Sequence, residues 1–195
     1  KVDQLSLLLS SCFYKLPQHL YANEFVSELD FRACEIKPNG LVRWSSLKRL
    51  CLWNVALPKD VLNKMLLGSP RLEFLELRNC DKFNRLDIVS ESLKKLVMDS
   101  YCEDGLELEI VAPKIEPLEI IGKFYNMKKF QIKDVLTLVE VKLDFEIPEP
   151  DETETDDDWD DICKGCENIV REHFESLHQV KKLIVGKRCL LVGLS

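Results

Sequence analysis

The chain has 195 residues, 46% of them apolar, and a formal net charge of −7, enough apolar material for one globular domain or one short solenoid. Ten acidic residues and no basic one fall within 146–161, and setting that stretch aside moves the formal charge from −7 to +3. The rest of the chain is therefore nearly neutral, which excludes an electrostatic track for nucleic acid, and no run approaches the ~18 apolar residues of a membrane span.

From the first residues onward, three apolar side chains recur at positions i, i+3 and i+5. The triplets are Val2/Leu5/Leu7, Val26/Leu29/Phe31, Leu47/Leu50/Leu52, Leu72/Leu75/Leu77, Leu93/Leu96/Met98, Ile115/Leu118/Ile120, Leu138/Val141/Leu143 and Val180/Leu183/Val185. Successive triplets start 24, 21, 25, 21, 22, 23 and 42 residues apart. An L-x-x-L-x-L core at a period of about 20–29 residues is that of a leucine-rich repeat. Alternation at period two inside each triplet predicts a short strand, and stacking the repeats lines these strands up as one parallel sheet. The predicted fold is an α/β solenoid of irregular leucine-rich repeats, with a parallel concave β-sheet and a C-terminal helical insertion. Such a solenoid offers one long binding surface rather than a buried catalytic cleft.

The chain opens directly in a repeat strand with no capping segment before it, so a further upstream part is expected. Between strands the chain must return over the convex side. The clearest return is 58–67, where Pro58 suits a first helical turn and Asp60 the positive end of the helix dipole. Val61, Leu62, Met65 and Leu66 share one face there, and Gly68 with Pro70 ends the helix. The other returns, such as PNG at 38–40 and EDG at 103–105, carry turn chemistry with little apolar periodicity, so irregular backs are predicted. Repeats fill 1–147, and the 42-residue interval marks an insertion. Pro148 and Pro150 open an acidic loop over 148–158. Trp159, Ile162, Cys163, Cys166, Ile169, Val170, Phe174 and Leu177 then recur at three and four, predicting an amphipathic helix over 159–179 that shields the last repeats. A terminal strand at 181–186 lies in the closing segment, 180–195.

The eight cysteines do not read as a disulfide framework. Cys34, Cys80 and Cys102 follow the second, fourth and fifth triplets, and Cys51 sits inside a strand. Small buried thiols fill a core well and suit a reducing compartment, so a cytoplasmic and/or nuclear location is expected. The lack of an Asn-x-Ser/Thr sequon points the same way, and no A-x-A-like cleavage site follows the apolar start.

Two metal-like motifs do not survive inspection. Cys163-x-x-Cys166 would need His173, His178 or Cys189 to complete a zinc site, and the spacing to His173 is too short for a finger, so the pair reads as a helix face. Asp156-x-Asp158-x-Asp160 with Glu167 at the twelfth place imitates an EF-hand loop, yet Asp161 stands at the sixth place where the turn needs glycine. No metal and no cofactor is expected. There is no nucleophile elbow and no Gly-rich phosphate loop, and the expectation is a non-catalytic binding module.

Repeat geometry also predicts which side chains leave the concave face, namely those flanking the inner leucines. They are Glu28, Asp30, Arg32, Arg49, Trp53, Phe74, Glu76, Arg78, Lys95, Asp99 and Glu119. Trp53 and Phe74, surrounded by Arg32, Arg49 and Arg78, have the chemistry of a protein-interface hot spot. With Glu76 and Lys95 they form the candidate partner-binding set. The competing expectation is that Trp53 packs on the repeat edge and the charges are only solvated.

Several phrases carry a more specific resemblance: LPQHLY at 16–21, LVRWSSLK at 41–48, LGSPRLEFLELRNC at 67–80, SLKKL at 92–96, IVAP at 110–113, LEI at 118–120, DVLTLVEV at 134–141 and LHQVKKL at 177–183. In this order they resemble the repeats of plant F-box/leucine-rich-repeat proteins of the FBD type, over essentially the whole chain. The resemblance implies the substrate-recognition part of an F-box subunit of a cullin–RING (SCF-type) ubiquitin ligase, with a protein substrate on the concave face. It implies a Skp-type adaptor and cullin engaged only through an N-terminal F-box that this sequence lacks. Two alternatives stay open. One is a repeat module of a signalling or immune-receptor scaffold, which a P-loop domain would precede. The other is a small-molecule-dependent sensor, which would need a basic pocket on the concave face.

Overall fold

A computed structural model of the protein describes residues 3–8, 14–88, 90, 92–101, 107–111, 115–123, 129–133, 138–146, 171, 177 and 180–186. In chain order the elements are β1 (Gln4–Leu8), β2 (Tyr14–Lys15), a short 3-10 helix (Gln18–Ala22), β3 (Glu28–Arg32), β4 (Cys34–Glu35), β5 (Arg49–Trp53) and α1 (Lys59–Leu67). They continue as β6 (Phe74–Arg78), β7 (Arg85–Asp87), β8 (Lys95–Asp99), β9 (Glu107–Val111), β10 (Leu118–Lys123), β11 (Lys129–Lys133), β12 (Glu140–Glu146) and β13 (Lys182–Val185).

Each apolar triplet delivers one strand of a single sheet, in the order β1-β3-β5-β6-β8-β10-β12-β13, and every pairing is parallel. The register stacks like on like. Leu5, Leu29, Leu50, Leu75, Leu96, Leu118, Val141 and Leu183 fall opposite one another, as do Leu7, Phe31, Leu52, Leu77, Met98, Ile120, Leu143 and Val185. The first members of the triplets, Val26, Leu47, Leu72, Leu93, Ile115 and Leu138, are all at most 4% exposed. A one-residue slip would turn all of these rungs toward solvent, so the leucine pattern alone pins the register.

Entry to and exit from the strands repeat as well. The Asp3 carbonyl accepts from the amides of Ser27 and Glu28, that of Ser27 from Lys48 and Arg49, that of Lys48 from Glu73 and Phe74, and that of Glu73 from Lys94 and Lys95. At the exit, the residue two places after the third triplet member takes a left-handed conformation: Ala33 (φ 52), Asn54 (φ 53), Asn79 (φ 49), Ser100 (φ 62) and Gly122 (φ 84). This turns the chain away from the sheet while the amides of Ala33, Asn54, Asn79 and Ser100 still donate to the next strand, to Trp53, Arg78, Asp99 and Ile121. Glycine and asparagine tolerate such a corner most easily.

The convex side is more ordered than the turn chemistry predicts. β2 pairs with β4, and β7, β9 and β11 form a second parallel sheet in which Leu86, Ile110 and Ile132 stack in register and are buried. α1 forms where the sequence places it, with Val61, Leu62 and Met65 buried, Leu66 packed against the core, and Leu67 exposed. Two details differ. Pro58 is the residue before the helix rather than its first turn, and its carbonyl accepts from Val61 and Leu62. Gly68 ends the helix with φ −77°, not in the left-handed form; it is there because a Cβ would lie 2.4 Å from the Val42 carbonyl oxygen. In the segment before β5, Trp44 is wholly buried, stacks on Tyr21 at 6.0 Å between centroids, and donates from Nε1 to the Leu20 carbonyl at 2.7 Å.

β13 occupies 182–185 of the expected terminal strand and closes the sheet. The acidic loop over 148–158 lies outside the described residues. So does most of the helix expected over 159–179, of which Arg171 is helical and Leu177 is buried in the core. Cys102, Cys163 and Cys166 also lie outside them. Cys34, Cys51 and Cys80 are buried thiols. No helix among the described residues is long and apolar enough to cross a membrane.

Candidate partner-binding face

Because side chains alternate along a strand, the residues between the buried leucines form three rows across the concave face. The first row runs Gln4, Glu28, Arg49, Phe74, Lys95. The middle row runs Ser6, Asp30, Cys51, Glu76, Val97, Glu119. The third runs Leu8, Arg32, Trp53, Arg78, Asp99. Neighbouring strands lie about 4.8 Å apart, so each aromatic ring in a row meets the cation on either side of it.

The contacts follow from that spacing. The Arg32 guanidinium carbon sits 3.6 Å from the centroid of the Trp53 ring and that of Arg78 4.1 Å from the same ring. In the first row, Arg49 lies 3.8 Å from the Phe74 centroid and the Lys95 ammonium 6.0 Å. These are cation–π sandwiches, one on each flank of the face.

The middle row holds the cations in place. Arg32 closes its fork on Asp30, from Nε at 3.1 Å and Nη2 at 2.9 Å, and the hydrogen bond to Asp30 raises its pKa above the usual arginine value. Glu76 is only 7% exposed and accepts from Arg78 Nη2 at 2.8 Å, with Arg49 Nη2 at 3.5 Å on its other oxygen. Arg78 Nε also lies 3.0 Å from Asp99, close enough for an ion pair but not aligned as a hydrogen bond. Lys95 pairs with Glu119. The Trp53 indole N–H is buried and has no hydrogen-bond partner among the described residues.

All seven candidate residues, Arg32, Arg49, Trp53, Phe74, Glu76, Arg78 and Lys95, thus fall in one patch spanning β3, β5, β6 and β8. Trp53, the partly exposed last residue of β5, lies between two guanidinium groups. Sequence reasoning missed Cys51, read there as a core filler. It stands in the middle row and is 5% exposed, with its thiol 3.6 Å from Glu76. Burial, then the negative charge of Glu76, outweigh Arg49 and push that thiol up to about 12. The signal was available, since a residue between Leu50 and Leu52 must point to the opposite face. Among the described residues no group of three or more His, Cys, Asp or Glu side chains is placed to hold a metal ion.

The sequence pattern of the family described as "FBD-associated F-box protein At5g56370, LRR repeats" matches residues 1–137. The chain belongs to this family. Among curated proteins it is similar to the F-box/LRR-repeat protein At5g02910 of Arabidopsis thaliana, with 34% identity over 89% of this chain and 36% of that protein. It is also similar to the F-box/LRR-repeat protein 25 of the same plant, at 32% over 61% of this chain and 48% of that protein. The F-box protein At5g03100 matches at 28% over 95% of this chain and 58% of its own length. The chain therefore spans about a third to just over a half of these relatives. No solved structure matches it. Membership of an F-box/LRR family fits a protein-interaction role.

Proposed function

We propose that the chain is the substrate-recognition part of an F-box subunit of a cullin–RING ubiquitin ligase, and that it holds a protein substrate on the concave face without chemistry of its own. The observation that carries the reading is the pair of rows Arg32–Trp53–Arg78 and Arg49–Phe74–Lys95, half-exposed yet fixed by Asp30, Glu76, Asp99 and Glu119. Tryptophan and arginine dominate interface hot spots, and anchors already locked in place lose little freedom on binding. The acidic partners cancel the positive charge of the patch, which suits a protein surface better than a polyanion. In the full-length protein an F-box would join this receptor to a Skp-type adaptor and cullin, in the cytoplasm and/or nucleus.

Ubiquitin-conjugate proteomics tests this reading. Plants lacking the full-length protein should contain at least one protein with reduced ubiquitination and raised abundance that the purified repeats bind directly. If the purified repeats bind no protein whose ubiquitination depends on the gene, the receptor assignment fails.

A further inference from the structure

Between the two cation–aromatic rows the concave face sinks into a cavity of about 180 Å³. Its cause is a difference in side-chain length. The middle row contributes the short Ser6, Asp30 and Cys51 before Glu76, while the flanks carry Glu28 and Arg49 on one side and Arg32 and Trp53 on the other. Pockets that take whole small molecules run to about 300–1,000 Å³. This one has room for a single long side chain.

Its charges are not balanced. Arg32 spends its fork on Asp30 and its face on Trp53, and Arg49 stacks on Phe74 with its edge toward Glu76. Glu28, half-buried on the rim, has no ion pair and no side-chain hydrogen bond among the described residues. Three carboxylates lining the cavity face two guanidinium groups, and the adjoining Arg78 and Asp99 add one charge of each sign, which leaves one negative charge uncompensated. The neutral Cys51 thiol adds nothing to that sum below pH 9.

We propose that this cavity receives a lysine or arginine side chain of the protein held on the concave face. Its cation closes on the Glu28 carboxylate, with Asp30 beside it, and its aliphatic stem lies against the edge of Trp53 that lines the cavity. Long cationic side chains bury their stems on apolar surface while the charged end finds its partner, and a guanidinium can meet a carboxylate through two parallel hydrogen bonds. The inference rests on the receptor reading and names what the partner must present. It opposes the small-molecule sensor, which would need a larger and more basic pocket.

The test titrates the isotope-labelled full chain with N-acetyl-arginine methylamide, its uncharged citrulline analogue and N-acetyl-aspartate methylamide. The readout is the Trp53 indole and Cys51 amide resonances. The arginine derivative should shift both saturably, and the citrulline analogue should bind at least fivefold more weakly. Glu28→Gln should weaken the arginine derivative at least fivefold, with signals remote from the cavity unmoved. Equal binding of citrulline, preference for the aspartate derivative, or an unaltered response in Glu28→Gln would overturn the proposal. Substrate capture by Phe74→Ala separates the two claims. If the probes fail while Phe74→Ala still loses the substrate, the cavity inference falls alone. If the probes bind as expected while Phe74→Ala keeps the substrate, the receptor reading falls and takes the substrate side chain with it as occupant, and only the cavity's preference for a cationic side chain stands.

Discussion

Two glycines should respond to the same substitution with opposite signs. Gly68 closes α1, and its carbonyl accepts from the Trp44 amide at 2.9 Å, so the end of the helix is pinned against residues 42–44. A Cβ there would stand 2.4 Å from the Val42 oxygen, 2.6 Å from its Cβ and 2.8 Å from its carbonyl carbon, and two of these are backbone atoms that cannot swing aside. With φ at −77°, alanine meets no conformational penalty. Gly68→Ala therefore combines a gain of about 0.4–1 kcal/mol from a less free unfolded chain with an overpacking cost of about 1–3 kcal/mol. Because backbone atoms stand in the way, the cost lies in the upper part of that range, about 2–3 kcal/mol, so the net loss is about 1–2.6 kcal/mol, or roughly 2–10 °C in Tm for a domain of this size. Gly40 has no atom within 4 Å of the same added Cβ, so Gly40→Ala keeps only the gain. Thermal and urea unfolding followed by far-ultraviolet circular dichroism measures both. If Gly68→Ala is as stable as the parent, or Gly40→Ala loses more than about 1 kcal/mol, the close-approach argument is wrong.

Glu76→Gln keeps the shape but removes the charge that holds Arg78 and Arg49. Hydrogen bonds to charged groups contribute about 1.5–3 kcal/mol, and water reaching side chains that are 35% and 43% exposed reduces this, so a loss of about 1–2 kcal/mol is expected in the urea midpoint. An unmoved midpoint would mean that Glu76 does not organise the patch. Cys51 has its thiol raised from 9.0 to about 12 on folding. Its contribution to stability is fully present below pH 9 and is lost as pH rises from 9 toward 12. Cys51→Ala should flatten the fall of Tm over that window, and an identical slope in both proteins would refute the shift. Ala33 occupies a left-handed corner at φ 52, where a residue with a Cβ is disfavoured by about 1–2 kcal/mol. Ala33→Gly should therefore raise the unfolding midpoint slightly and Ala33→Val lower it; the reverse order would remove the corner argument.

The concave sheet was legible because its signal is redundant. One register satisfies eight triplets at once, and parity then dictates that Arg49, Trp53 and Phe74 leave the opposite face. Parity does not say what a side chain meets next. The sandwiches around Trp53 and Phe74 depend on which residues stand in adjacent repeats, 21 to 25 positions away, and show only once the register is laid out. The back sheet was missed for a different reason. RLD at 85–87 and KFQIK at 129–133 alternate over too few residues to outweigh the neighbouring turn signals, and they become strands because the front sheet holds the returns side by side. Gly68 was placed correctly for the wrong cause: sequence pointed to a helix-ending glycine, whereas the approach of Val42 is a tertiary fact.

The central claim is that the two cation–aromatic rows receive the substrate. Its most direct test is quantitative affinity capture from native tissue with the full-length protein. The parent, a Trp53→Ala/Arg78→Ala variant and a convex Asp60→Ala/Lys64→Ala variant should be compared, all with unchanged circular dichroism. Capture of the ubiquitinated partner should fall at least tenfold for the concave pair and hold for the convex pair. Undiminished capture by the concave pair, or loss confined to the convex pair, would contradict the account.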